Sequence, residues 1–247
     1  MNQDPSHTHF GYSSIPISQK SERVKTLFDG IATHYDLMND LMSFGFHRIW
    51  KYITVRYLPL RAAQQIVDVA SGSGDIVLQM LRINPHASYT CVDPSAEMLA
   101  EARKKLMNHP ITYVQSFCED LEMPESSVDL VTIGFGFRNF TNKTESLSRI
   151  YQLLKPGATC AILEFSQSKS QLFNACYQPY ARHVIPFIGS LIANDREAYK
   201  YLTESIDVHP PAIEMIQLLT DAGFTEIKEH SFMTGLVRCH VGQKPHI

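Results

Sequence analysis

Val67-Asp68-Val69-Ala70-Ser71-Gly72-Ser73-Gly74-Asp75 decides the fold. Its apolar front half reads as a buried strand over residues 65–70, its two glycines as a tight turn, and the run from Asp75 to Leu81 as a helix. Strand, glycine turn and helix start in that order form a nucleotide site at the carboxyl edge of a parallel sheet. The same alternation continues downstream. Residues 89–93 read as a second strand, and Ser95 is a candidate N-cap for a helix whose Met98, Leu99, Ala102 and Leu106 share a face. Residues 112–115 and 128–135 are further strands. A helix marked by Leu147, Ile150, Tyr151 and Leu154 is closed by Lys155-Pro156-Gly157, and residues 159–165 form the next strand. Strands alternating with helices of this length imply βαβ units and a parallel sheet. Gly223 ends a last helix over 211–222. The runs 225–229 and 236–241 follow with no helix between them, which predicts an antiparallel hairpin at one sheet edge.

Upstream, Val24, Leu27, Phe28 and Ile31 make the stripe of an amphipathic helix over 21–32, and the apolar-rich segment 37–58 carries the sole tryptophan, Trp50. Residues 1–20, with Pro5, Gly11 and Pro16, read as a flexible lead-in outside the core. Residues 166–208 break the alternation and read as a helical, aromatic-rich insertion suited to substrate contacts. At 247 residues, one decorated domain over 21–247 fits better than two.

Composition excludes several functions. Twenty-two Lys and Arg against twenty-five Asp and Glu leave a net charge of −3, so the overall balance offers no basic surface for nucleic acid. The five cysteines are scattered, with no C-x-x-C pair, so reduced thiols and no metal site are expected. Residues 1–19 contain no Lys or Arg and no apolar segment, so no secretory signal and a cytoplasmic location are expected. The longest charge-free apolar stretch, 183–194, is too short and too broken to span a bilayer.

Two nucleotide classes compete for the turn. A dinucleotide fingerprint beginning at Gly72 needs a small residue where Val77 stands, and Asp75 puts a negative charge where a pyrophosphate would dock. S-adenosylmethionine carries a sulfonium and an ammonium and no phosphate, so a turn with Asp68 below it and Asp75 beside it suits that ligand. Asp93, nineteen residues after Gly74 at the end of the second strand, is placed to accept ribose hydroxyls.

Further segments carry a resemblance: Phe28-Asp29-x-Ile31-Ala32-x-x-Tyr35-Asp36-x-Met38-Asn39-Asp40, Ser43-Phe44-Gly45, His47-Arg48-x-Trp50, Phe135-Gly136-Phe137-Arg138-Asn139, Leu153-Leu154-Lys155-Pro156-Gly157, Leu163-Glu164-Phe165-Ser166 and Gly189-Ser190-Leu191-Ile192-Ala193-Asn194-Asp195. From about Val24 to Gly242 the chain resembles the ubiquinone and menaquinone biosynthesis C-methyltransferases. The resemblance implies a class I S-adenosylmethionine-dependent methyltransferase fold: a seven-stranded, mostly parallel sheet with an antiparallel C-terminal hairpin strand and helices on both faces. It implies a methyl-donor site with Ser73 in the turn between Gly72 and Gly74, Asp93 on the ribose, and Phe117-Cys118 beside the adenine, where the family usually has Asn-Ala. Gly134 stands where a serine is common, and Gly136-Phe137 where Gly-Leu or Gly-Ile is usual.

The activity so implied is methylation of a ring carbon of a polyprenylated quinol, demethylmenaquinol first, with benzoquinol methylation or a non-catalytic scaffold as alternatives. A phenol pKa near 10 demands a base or a stabilised oxyanion. Arg138, permanently protonated, is assigned oxyanion stabilisation or activation of a bound water, Asn139 the orientation of that charge or of the ring oxygen, and Tyr35 with Asp36 a lid over the donor within a helical lid over 21–60. His47, His183 and His209 are candidate proton relays, and Phe173, Tyr177, Tyr180, Phe187, Tyr199 and Tyr201 candidate walls for ring and tail. A lipid-dissolved substrate implies peripheral work at the cytoplasmic membrane surface. A homodimer is compatible with the sequence, which does not specify one.

Overall fold

The computed structural model describes residues 7–61, 64–166 and 196–246, with Ser168, Ala175, Pro179, Tyr180, Val184, Ile185 and Phe187. The described chain opens on an antiparallel hairpin of β1 (His7–Phe10) and β2 (Ser13–Pro16), with Phe10 opposite Ser13. Gly11 takes the first position of the two-residue loop at φ +57°, where a type II′ turn excludes a Cβ. This corrects the lead-in expected over 1–20 for residues 7–20; residues 1–6 lie outside the described residues. The Phe10 ring stacks on Tyr201 at 4.2 Å and the Tyr12 N–H donates to Glu204 Oε2 at 3.0 Å. Those partners lie some 190 positions downstream, out of reach of a local reading.

The chain continues through α1 (Ile17–Ile31), a 3-10 turn (Ala32–His34), α2 (Tyr35–Ser43) and α3 (Phe46–Tyr57). The helix expected over 21–32 therefore starts earlier, directly off the hairpin. Phe44 and Gly45 end α2 with consecutive left-handed residues at φ 51° and 76°, which turns the chain into α3.

Seven strands build the main sheet: β3 (Gln65–Val69), β4 (Ser88–Val92), β5 (Ile111–Val114), β6 (Val128–Gly134), β7 (Leu154–Phe165), β8 (Thr225–Phe232) and β9 (Val237–Gln243), in the order β5-β4-β3-β6-β7-β9-β8. The pairs from β5 to β7 are parallel, and β9 runs antiparallel to both neighbours. This is the expected class I methyltransferase sheet with its C-terminal hairpin. The chain winds outward from β3 to β5 and then returns to the other side of β3 as β6. The strand order thus reverses between β3 and β6, where ligands of open α/β sheets bind.

The connecting helices are α4 (Asp75–Ile83), α5 (Ala96–Lys105), α6 (Lys143–Leu153), α7 (Arg196–Asp207) and α8 (Ala212–Asp221). One core joins Val67, Val131 and Ile133 to Leu147 and Ile150 of α6 and Met215 and Leu219 of α8. A second joins Ile66 and Leu130 to Val55 of α3, Met80 of α4 and Leu99 of α5. A third packs α1 to α3 through Ile31, Met38 and Trp50 onto Phe135, Phe165 and Leu202 of α7. Each fully buried side chain of this size contributes about 1.5–3 kcal/mol.

Two boundaries differ from expectation. β7 begins at Leu154, so Lys155-Pro156-Gly157 lies inside a strand that pairs with Val128 before a register shift. Of the insertion 166–208, α7 is helical as expected, while Phe173, Tyr177, His183 and residues 189–195 lie outside the described residues. Among the described residues no helix is long and apolar enough to cross a membrane.

Ser95 caps α5 as the sequence predicts: its Oγ accepts from the Met98 N–H at 3.0 Å and donates to Asp29 of α1 at 2.6 Å. Ser95→Ala removes both bonds and is expected to lower stability by about 1–2 kcal/mol in urea unfolding; an unchanged midpoint would contradict the cap's role.

Candidate active site

At the β3/β6 reversal the carboxyl ends of the strands open into a cavity of about 690 Å³, counting its mouth, within the size range of small-molecule sites. The glycine turn contributes Val69, Ala70 and Gly72. The end of β4 contributes Asp93, the loop after β5 Ser116 to Glu119, and the loop after β6 Phe135, Gly136, Asn139 and Phe140; Val24, Phe28 and Tyr35 close it from the lid. The backbone is tight here. Ala70 and Phe135 adopt left-handed φ of 52° and 61°, and a Cβ on Gly136 would stand 2.6 Å from that of Ala70. Only glycine lets the two strand ends approach this closely.

Asp93 is the hinge of the site. Its Oδ2 accepts the Gly72 N–H at 2.8 Å and its Oδ1 the Ser95 N–H at 2.9 Å. Burial pushes its carboxyl up to about 6, against the pull of those two N–H groups. Each oxygen keeps a further lone pair, so the group can also accept from a ligand's hydroxyls. Gly72, at φ +52°, has only the Tyr35 ring at 3.5 Å from where a Cβ would lie, so a ligand can approach bare backbone. Asp93 and Glu119 line the cavity, and among the described residues no Lys, Arg or His does. A pyrophosphate would meet two carboxylates there. An adenosyl group bearing a cationic sulfur meets a matching charge, an acceptor for its ribose at Asp93 and an apolar wall at Phe117 and Cys118.

The other expected donor-site residues lie behind this surface. Asp68 accepts from Thr132 Oγ1 at 2.5 Å and is pushed up to about 7 by burial, tying β3 to β6 beneath the turn. Gly74, at φ +79°, lets α4 pack on α5, since a Cβ would meet Leu106 Cδ1 at 2.8 Å. The Ser73 hydroxyl donates to Asp36 Oδ1 at 2.6 Å and accepts from Lys105 Nζ at 2.9 Å. Burial opposes the charged form of Asp75, yet Lys51, at 2.7 Å, and Lys105 hold its carboxyl well below the usual range. The Asp75 charge is therefore neutralised and does not itself repel a pyrophosphate; the lining charge makes that distinction.

Arg138 requires a larger correction. Its guanidinium does not line the cavity. Nη1 donates to Glu164 Oε1 and to the Phe135 carbonyl, each at 2.6 Å, and Nε donates to Ser205 Oγ at 3.2 Å. The two side chains of the ion pair are only 3% and 2% exposed. Its backbone N–H also donates to Glu164 Oε2. Arg138 thus fixes the loop that presents Phe135, Gly136 and Asn139, and the charge expected for a substrate oxyanion is already matched. The sole sequence signal for Glu164 was a carboxylate at the end of an apolar strand, which must find a partner.

Asn139 and Tyr35 do reach the cavity. Asn139 Oδ1 accepts from the Tyr201 hydroxyl at 2.9 Å, and burial pushes the Tyr35 phenol up to about 12, keeping it a neutral donor. The described histidines of the relay lie elsewhere. His47 Nε2 pairs with Asp40 at 2.8 Å, and His209, pushed down to about 4 by burial, meets the Phe137 ring edge-on. Tyr199 and Tyr201 are core residues. Lys51 and Lys105 were not anticipated; their local sequence shows only charges on helices.

The sequence matches the ubiE/COQ5 methyltransferase family over residues 17–244. The chain belongs to this family. It is 39% identical to the ubiquinone/menaquinone biosynthesis C-methyltransferase UbiE of Pseudomonas paraeruginosa, over 96% of this chain and 95% of that one. It is 38% identical to the protein of the same name from Coxiella burnetii, over 99% and 100%. Among solved structures, a methyltransferase from Thermotoga maritima superposes with a TM-score of 0.65 at 17% identity, covering 89% of this chain and 99% of that one. The phosphoethanolamine N-methyltransferase 2 of Haemonchus contortus, in complex with S-adenosylmethionine, gives 0.58 at 16%, covering 77% and 50%. These two share the fold. S-adenosylmethionine is the cofactor of this methyltransferase family, and the cavity's residues fit it.

Donation from ribose hydroxyls favours the ionised form of Asp93, so affinity for S-adenosylmethionine should fall as pH drops through about 6, read by calorimetry. A flat profile would contradict that contact. Glu164→Gln leaves the buried Arg138 without its counter-charge and should lower stability by about 3–5 kcal/mol; a small change in the urea midpoint would show that the pair is dispensable.

Proposed function

We propose that the protein transfers a methyl group from S-adenosylmethionine to a ring carbon of a polyprenylated quinol, with demethylmenaquinol the first substrate and the corresponding benzoquinol the second. The observation that carries this reading is the match, over nearly the whole chain, to relatives named as ubiquinone/menaquinone biosynthesis C-methyltransferases. When bound, the cofactor supplies an electrophilic methyl on a cationic sulfur. Gly72 and Asp93 orient its nucleoside, Phe28 and Phe135 provide flat apolar walls, and the lid helices exclude water.

The lid is fastened by charge. Lys105 Nζ donates to Asp36 Oδ2 at 2.6 Å, Asp36 accepts from Ser73, and Asp29 accepts from Ser95. Asn139, oriented by Tyr201, is the amide that meets a ring oxygen, and Tyr35 is a second neutral donor. Together they lower the cost of charge developing on the quinol. Arg138 acts through the loop it holds.

A prenyl tail partitions into lipid, so the enzyme works where a bilayer delivers it. The lid's outer face supports this: Phe44, Phe46, Ile49 and Tyr52 are 67%, 42%, 50% and 46% exposed on the turn before α3 and along it. This placement is peripheral.

Incubation with the methyl donor and short-chain demethylmenaquinol under reducing conditions should yield a ring-methylated product by mass spectrometry, with the short-chain benzoquinol assayed alongside. Tight donor binding without a product on either ring would favour a non-catalytic scaffold and contradict the proposal.

A further inference from the structure

A second cavity lies on the far side of the loop 137–140, between the β1–β2 hairpin, the first turn of α1, the start of α6 and α7. It measures about 430 Å³ counting its mouth. Its lining includes Lys20, Lys143, Arg138, His9, Tyr201 and Ser205, and among the described residues no carboxylate. Lys20 is 5% exposed. The Lys20 and Lys143 ammonium groups both converge on the Phe140 carbonyl, each at 3.3 Å, and Lys143 also lies 3.5 Å from the Arg138 carbonyl.

An ammonium carries three donors, so one or two long bonds to carbonyls leave capacity on both groups. Among the described residues neither lysine has a carboxylate within ion-pair distance, and the nearby Glu164 is taken by Arg138. A buried and a half-buried ammonium sharing one carbonyl, with no counter-ion among the described residues, form an electrostatic deficit that an anion relieves. Burial pushes Lys20 down to about 8, and burial with the Lys20 charge pushes Lys143 down to about 7, which reflects the same deficit.

We propose that this cavity is a binding site for a phosphate group, free or as a monoester, held between the Lys20 and Lys143 ammonium groups. Two monocations are matched by one dianion, which phosphate supplies near neutral pH and a single carboxylate does not. The methyl-donor cavity has the opposite lining charge, so the two sites select opposite ligands. They share a wall: Tyr201 lines this one and donates to Asn139 of the other. The site stands independently of the quinol reading.

Calorimetric titration of the full chain with inorganic phosphate, and separately with methyl phosphate, at matched ionic strength, should show saturable binding in at least one arm. Lys20→Met and Lys143→Met should each weaken it by roughly tenfold or more, the loss expected for a charge-assisted bond. Both variants should be at least as stable as the parent without phosphate, because each deletes one of two ammonium groups that share a carbonyl without a counter-charge. In the unaltered protein, phosphate should protect Lys20 and Lys143 from reductive methylation, a readout that needs no variant. Saturable binding in neither arm, equal affinity in the folded variants, or unprotected lysines would overturn the proposal.

Discussion

The two hydrogen bonds that clamp Asp93 organise the molecule. One fastens the glycine turn at Gly72, the other the start of α5 at Ser95, so a single carboxylate joins the ends of β3 and β4 beside the β3/β6 step where strand order reverses. The Ser71 N–H donates to the Val92 carbonyl at 3.0 Å, a second tie between the turn and the end of β4. Because the two N–H groups approach different oxygens, the carboxylate stays open to a ligand. Burial pushes this same carboxyl up to about 6.

Around this centre, charge is sorted by depth. The cavity lining is acidic, and the cations nearest the turn, Lys51 and Lys105, are committed to Asp75 and Asp36 on its outer side. The fixed positive charge of Arg138 is matched by Glu164 behind the loop. A sulfonium ligand thus meets a negative surface, while the lysines fasten the lid. On the opposite side of the loop the sorting is reversed, and the Lys20 and Lys143 charges remain unmatched.

The sheet was legible because its signals are local: alternating apolar runs, a glycine turn, the Ser95 cap and the closing Gly223. The placement of Asp93 at the end of β4, beside the turn, was legible for the same reason, since its distance from the turn is set by one βα unit. Residues whose roles depend on distant contacts were not. The N-terminal hairpin is held by Tyr201 and Glu204. Ser73 was expected at the methyl donor from the family resemblance, yet Asp36 and Lys105 occupy its hydroxyl. Arg138 looked like a free cation at the ligand edge, since nothing adjacent to it is acidic and its partner lies on β7. Local sequence marks that a charge is present; the tertiary fold decides whether it is already spent.

The central claim is that the acidic cavity beside Gly72 takes a cationic adenosyl ligand with its ribose on Asp93. A crystal soaked with S-adenosylmethionine tests it most directly. The account predicts density for the nucleoside between the glycine turn and the Phe117–Cys118 wall, with both ribose hydroxyls against the Asp93 carboxylate. A cavity left empty, or a nucleoside bound with its ribose away from Asp93, would contradict it.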